Sequence, residues 1–76
     1  MNVETMKIQI DARGLSCPQP ALLTRQTIAT MLAGVVEVLV DTGNQRDNVV
    51  RVGQKAGWIC TVETTPDGVF CIVMTK

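Results

Sequence analysis

The segment Asp11-Ala12-Arg13-Gly14-Leu15-Ser16-Cys17-Pro18-Gln19-Pro20 gathers the residues of this chain best suited to chemistry. Pro18 restricts Cys17 to extended backbone, which is the conformation of an N-cap residue, and proline itself suits the first position of a helix. Cys17 is therefore read as the start of a helix. There its sulfur faces the positive end of the helix dipole and the Gln19 amide, an arrangement that lowers cysteine pKa values to about 3.5–7.5 from about 8.5. Pro20 has no amide to add to the cap, so the expected shift is modest. What Pro18 and Pro20 add is stiffness, since their fixed φ angles hold the sulfur outward without a side-chain partner. A rigid, exposed thiolate suits sulfur-to-sulfur transfer, where nucleophile and leaving group are both sulfur and no proton shuttle is required. The same cysteine also fits a plainer description, a small residue that caps a helix and is chemically inert.

The flanking residues read as support for this loop. Arg13 can attract an anionic group or an acidic patch on a partner, and the pair Asp11 and Arg13 can equally fix the turn. Gly14 is expected at positive φ, re-aiming the chain toward the helix. Asp41 and Asp47 are read as turn or cap residues, not as an acid/base pair. The chain has no histidine. That excludes Ser-His and Cys-His nucleophile pairs, an imidazole base and any His-containing zinc site within one chain. Cys17, Cys60 and Cys71 are an odd number at wide spacing, which fits neither a disulfide framework nor a C-x-x-C metal pair. A metal site and a cofactor are accordingly not expected, and a reducing, cytoplasmic setting is.

The elements that must position Cys17 can be read from periodicity. Met6, Ile8 and Ile10 alternate with Lys7 and Gln9 as a half-buried strand. A helix is expected from Pro18 to about Leu32, with Ala21, Ile28 and Leu32 on one side and Gly34 ending it. Val35 to Val40 is a β-branched run of the kind found in central strands, and Asp41 to Asn44 form the turn after it. Val49, Val52 and Ala56 recur at helical spacing between Asn48 and Ala56, with Gly57 just beyond the helix end. Trp58–Thr64 and Val69–Thr75 are expected strands of a hairpin turned by Thr65-Pro66-Asp67-Gly68.

The order is thus β-α-β-α-β-β, an α/β two-layer sandwich in which right-handed crossovers put both helices on one face of a mixed four-stranded sheet. Alternation assigns Met6, Ile8, Ile10, Val36, Val38, Val40, Cys60, Val62, Phe70, Ile72 and Met74 to the helix side, with Cys60 in the core. Leu39, Ile59, Val69, Cys71 and Val73 fall on the open side. Such an apolar patch predicts self-association there, a homodimer through the open sheet face, or a partner surface. Because Cys60 and Cys71 take opposite faces, no intramolecular disulfide is expected.

Composition bounds the rest. A chain of 76 residues holds one core, so residues 1–76 are read as a single domain. Hydrophobic residues at 46% and charged residues at 18% describe a chain that folds. Seven basic and seven acidic residues leave no net field, and aromatics at 3% leave little for base stacking, so direct nucleic-acid binding is not expected. The apolar stretches are too short to cross a bilayer, and no membrane association is expected.

The segment D-A-R-G-L-S-C-P-Q-P, a following helix, a β-branched strand ending in Asp41 and the tail V-F-C-I-V-M-T-K together resemble the TusA/SirA/YedF family of CPxP proteins over nearly the whole chain. The resemblance implies the same sandwich, and implies that Cys17 accepts sulfur as a persulfide from a donor protein such as a cysteine desulfurase and relays it to a downstream acceptor protein. The motif together with Asn48-Val49 is closer to the YedF branch, which is linked with selenium metabolism. In that branch a second domain can follow; this chain is read as a stand-alone copy. Two other readings stand beside the sulfur carrier: a regulatory or protein-interaction module that keeps the fold without sulfur transfer, and a selenium-metabolism accessory protein.

Overall fold

The computed structural model describes residues 7–15 and 19–76. Six elements follow in the order β1 (Lys7–Asp11), α1 (Gln19–Ala29), β2 (Val35–Val40), α2 (Gly43–Lys55), β3 (Ile59–Thr64) and β4 (Phe70–Thr75). They form a four-stranded sheet of order β1-β2-β4-β3, with β1 parallel to β2 and the other neighbours antiparallel. The parallel pair needs a crossover, which α1 supplies, and both helices lie on the face where Val36, Val38, Val40, Ile72 and Met74 are fully buried. The expected β-α-β-α-β-β sandwich is the observed one.

Each helix differs from its expected extent for a physical reason. α1 ends at Ala29, not near Leu32: Thr30 and Met31 close a tight turn on Thr27 and Ile28, and Leu32 is 94% exposed. Its buried face is Pro20, Thr24 and Ile28, spaced by four, with Met31 just beyond. Thr24 could join that face because its hydroxyl donates to the Pro20 carbonyl at 2.8 Å. Gly34, at φ +137°, therefore does not end the helix but leads into β2.

α2 begins at Gly43, five residues before the expected start at Asn48, because Thr42 is its N-cap and accepts from the Gln45 amide at 3.2 Å. Its other end is a Schellman motif: Trp58 N donates to Gly53 O at 2.9 Å and Gly57 N to Gln54 O at 3.1 Å, with Gly57 at φ +87°. Gly53, unfavourable inside a helix, is there for contact. A Cβ at that position would lie 2.5 Å from Met74 Sδ and 2.7 Å from Cys60 Sγ.

The face assignment holds in the centre of the sheet and weakens at its edge. Cys60 points to the helix side and packs on the core but is only half-buried, and Val62 on the same side is exposed, since β3 is an edge strand. Trp58 and Val69 lie outside the strands, Trp58 as a buried core residue. On the open face Leu39, Cys71 and Val73 are half-buried by their neighbours, and Ile59 is 70% exposed. The register sets Glu37 opposite Val73 and Glu63 opposite Cys71, so carboxylates interrupt the apolar patch. Met6, and the N-cap reading of Cys17 with Pro18, lie outside the described residues.

Candidate functional site

The segment that carries Cys17 is fixed on both flanks. Ala12, fully buried, extends the parallel ladder by donating to Leu39 O at 2.9 Å, and Leu15 N closes a turn on Ala12 O at 3.4 Å. Gly14 has φ +79°, the positive value expected of it, and nothing crowds its Cα, so conformation and not space selects glycine. Its amide donates to Asp41 Oδ2 at 3.0 Å, which ties the turn to the end of β2. One residue on, Leu15 O accepts from Gln45 Nε2 at 2.6 Å, which ties it to the first turn of α2. On the far side of Cys17, Gln19 is exposed as the first residue of α1 and Pro20 is buried.

Charge around the loop is paired off locally. Arg13 Nε and Nη2 donate to the two Asp11 carboxylate oxygens at 2.8 and 2.7 Å, a bidentate pair at the surface. These bonds, with one from the Arg13 amide, hold the Asp11 carboxyl down to about 2. The pair thus fixes the turn, one of the two roles open to it from sequence. Asp47 pairs with Arg46, whose guanidinium also stands 4.7 Å from the centre of the Phe70 ring.

The other sulfurs are placed against nucleophilic use. Cys60 Sγ lies against Val50 O at 3.7 Å, and burial pushes its thiol up. Cys71 is pushed up by burial first and then by the carboxylates of Glu37 and Glu63. Both are free, on opposite faces of adjacent strands, and out of register. Among the described residues no cluster of His, Cys, Asp and Glu could hold a metal ion, and no helix is long and apolar enough to cross a membrane.

Residues 8–76 match the protein family described as Sulfurtransferase TusA. The chain belongs to the TusA family. A solved structure of a SirA-like protein from Desulfitobacterium hafniense shares the fold with a TM-score of 0.83 and 30% identity, covering 90% of this chain and 95% of that one. No curated protein matches the chain. A sulfur-carrier role follows the family and this neighbour.

For this TusA-family chain, sequence reasoning missed the residues that secure the loop from outside it. Asp41 reads from the sequence as a turn or cap residue, and Gln45 has no role assigned there. The spacing Thr42-x-x-Gln45 is that of a capping box, which could have announced the start of α2. Gln45, however, turns its amide to Leu15 instead of back to the cap, and its buried Oε1 finds no hydrogen bond among the described residues. Also unforeseen is a shallow depression of about 350 Å³ beside the loop, lined by Leu15, Gln19, Leu22, Leu23 and Gln26. Leu22 and Leu23 expose apolar surface there.

Proposed function

We propose that the protein is a persulfide relay with Cys17 as its reactive sulfur. The Cys17 thiolate attacks the terminal sulfur of a donor's cysteine persulfide, such as that of a cysteine desulfurase. The sulfur–sulfur bond in the donor breaks, the donor's thiolate leaves, and the new bond is carried on Cys17. An acceptor thiolate then repeats the attack on the sulfur held by Cys17, restoring the Cys17 thiolate. Neither step needs a proton shuttle or changes the net oxidation state, in keeping with a chain that has no histidine.

The observation that carries the reading is the anchoring of the chain just before Cys17, at Gly14 by Asp41 and at Leu15 by Gln45, with Pro20 buried just after it. Asp11, Arg13, Gly14, Pro18, Gln19 and Pro20 act as the frame of this loop. The exposed leucines of the adjoining depression offer a donor or acceptor protein an apolar contact beside the transferred atom. Residues 1–76 form one such carrier domain, acting in the cytoplasm.

The test is intact mass after incubation with a cysteine desulfurase and cysteine. The expected result is a gain of one sulfur atom, removed by reductant and absent from Cys17→Ser. Loading that survives in Cys17→Ser would refute the relay.

A further inference from the structure

Four of the seven Lys and Arg side chains, Arg25, Arg51, Lys55 and Lys76, line one open groove of about 830 Å³ between α1 and α2. All four are exposed, and among the described residues none has an ion-pair partner. The other three cations, Lys7, Arg13 and Arg46, pair with Glu37, Asp11 and Asp47 elsewhere on the surface. No Asp or Glu among the described residues lines the groove. A chain with no net charge has therefore gathered four cations without ion-pair partners into one groove, while the acids among the described residues, Asp47 on α2 included, all lie outside it. Arg51 and Lys55 stand one turn apart on α2, a like-charge spacing that disfavours the helix. Arg51 Nη1 donates to Asn48 Oδ1 at 3.3 Å and Lys76 Nζ to Ala56 O at 3.2 Å, contacts that hold the cations at the rim without neutralising them.

Between the cations the groove is apolar. Ile28, Met31 and Trp58 form a buried floor, and the small residues Ala21, Ala29 and Ala56 leave the walls low. We infer that this groove docks an acidic amphipathic helix presented by a protein partner, its carboxylates on the four cations and its apolar side chains on the floor. The missing counter-charge names the acidity and the floor names the amphipathic face. The helices that form the walls, 11 and 13 residues long, accommodate a helix of comparable length. A nucleic acid is poorly served, because Trp58 is 3% exposed and no other aromatic residue lines the groove, leaving bases nothing to stack on. The groove starts at Ala21 in the first turn of α1, two positions after Gln19, so a helix seated in it lies beside the chain that carries Cys17. The inference extends the relay reading by giving the chemistry of the partner, but the binding itself does not require Cys17.

The test uses a fluorescein-labelled amphipathic peptide of about 15 residues, roughly four helical turns, built from Glu, Leu and Ala. Fluorescence anisotropy should show saturable binding that weakens as salt is raised, and amide shifts should map to Ala21, Arg25, Arg51 and Ala56. Arg51→Glu and Lys55→Glu should each weaken binding about tenfold. Lys7→Glu, the same change of charge on the sheet face, should not. If either reversal fails to fold by circular dichroism, Arg51→Gln and Lys55→Gln should still weaken binding. Cys17→Ser should bind as the parent does, so a failed docking and a failed sulfur relay are separate results. A peptide with Lys in place of Glu should not bind. The inference is overturned if the acidic peptide does not bind, if its binding is indifferent to Arg51 and Lys55, or if an oligouridylate of equal charge binds the same groove more tightly.

Discussion

The loop between β1 and α1 and the β3–β4 hairpin both carry cysteine, and the described residues around the two positions differ. In the hairpin, Cys60 is pressed against α2 at the close approach of Gly53, while Cys71 sits among half-buried neighbours with Glu63 directly opposite. Burial raises both thiols, and carboxylates raise Cys71 further, so the sheet holds sulfur in its unreactive form. In the loop, the nearby acids are already occupied: Asp11 by Arg13 and Asp41 by the Gly14 amide. The backbone on either side of Cys17 is tied to β2 and α2 or buried in the core. Regular structure can thus hide a thiol, while the described flanks of the loop are pinned with their nearby acids already paired.

The contrast is largest in reactivity. At neutral pH iodoacetamide should modify Cys17 about tenfold or more faster than Cys60 or Cys71, read by peptide mapping at short times. Equal rates at the three sulfurs would erase the distinction. Next in size is the packing of the hairpin sulfur. Gly53→Ala should cost about 1–3 kcal/mol in chemical denaturation, and Cys60→Ala in the same chain should recover part of it by removing one of the two crowding atoms. Strict additivity of the two changes would contradict the close approach.

A smaller effect is expected where the loop is pinned. Gln45→Leu removes the donor to Leu15 O, leaves that carbonyl wanting a partner, and should cost roughly 1 kcal/mol while slowing sulfur loading. An unchanged loading rate would show that this bond does not position the loop. The smallest effects are electrostatic. Glu37→Gln and Glu63→Gln should each lower the Cys71 thiol and speed its alkylation, since each removes a charge that disfavours thiolate. The Asp11 carboxyl should titrate with a midpoint of about 2 by carbon NMR and return toward the ordinary carboxylate range in Arg13→Gln. Because the folded value is depressed, the contribution of this pair is present above the unfolded carboxylate range and is lost as pH falls toward 2.

The sequence made the strands legible because their signal is local. Val35–Val40 is bounded as its β-branched run suggests, and the Thr65-Pro66-Asp67-Gly68 turn closes the hairpin with Gly68 at φ +83°. The helices were less legible because tertiary contacts set them. Thr24 reads as polar yet is fully buried once Pro20 O accepts its hydroxyl, which moves the buried face away from Leu32. The start of α2 was obscured by Gly43 and Asn44, turn-forming residues that Thr42 caps into the helix. For the candidate site the motif was plain, but its anchors were not: Asp41 reaches Gly14 across 27 positions and Gln45 reaches Leu15 across 30, separations that no local pattern records. The basic groove was hidden in the same way, its cations being dispersed from Arg25 to Lys76 within a sequence of no net charge.

The central claim is that one sulfur of the three carries the transferred atom. It is tested most directly by loading the protein with a cysteine desulfurase and cysteine, trapping the products with an alkylating agent, and mapping the extra sulfur by peptide mass. The account predicts that the added sulfur resides on Cys17, with Cys60 and Cys71 recovered as simple alkylated thiols. Sulfur found on Cys60 or Cys71 while Cys17 stays unmodified, or on none of the three under conditions where the desulfurase turns over, would contradict it.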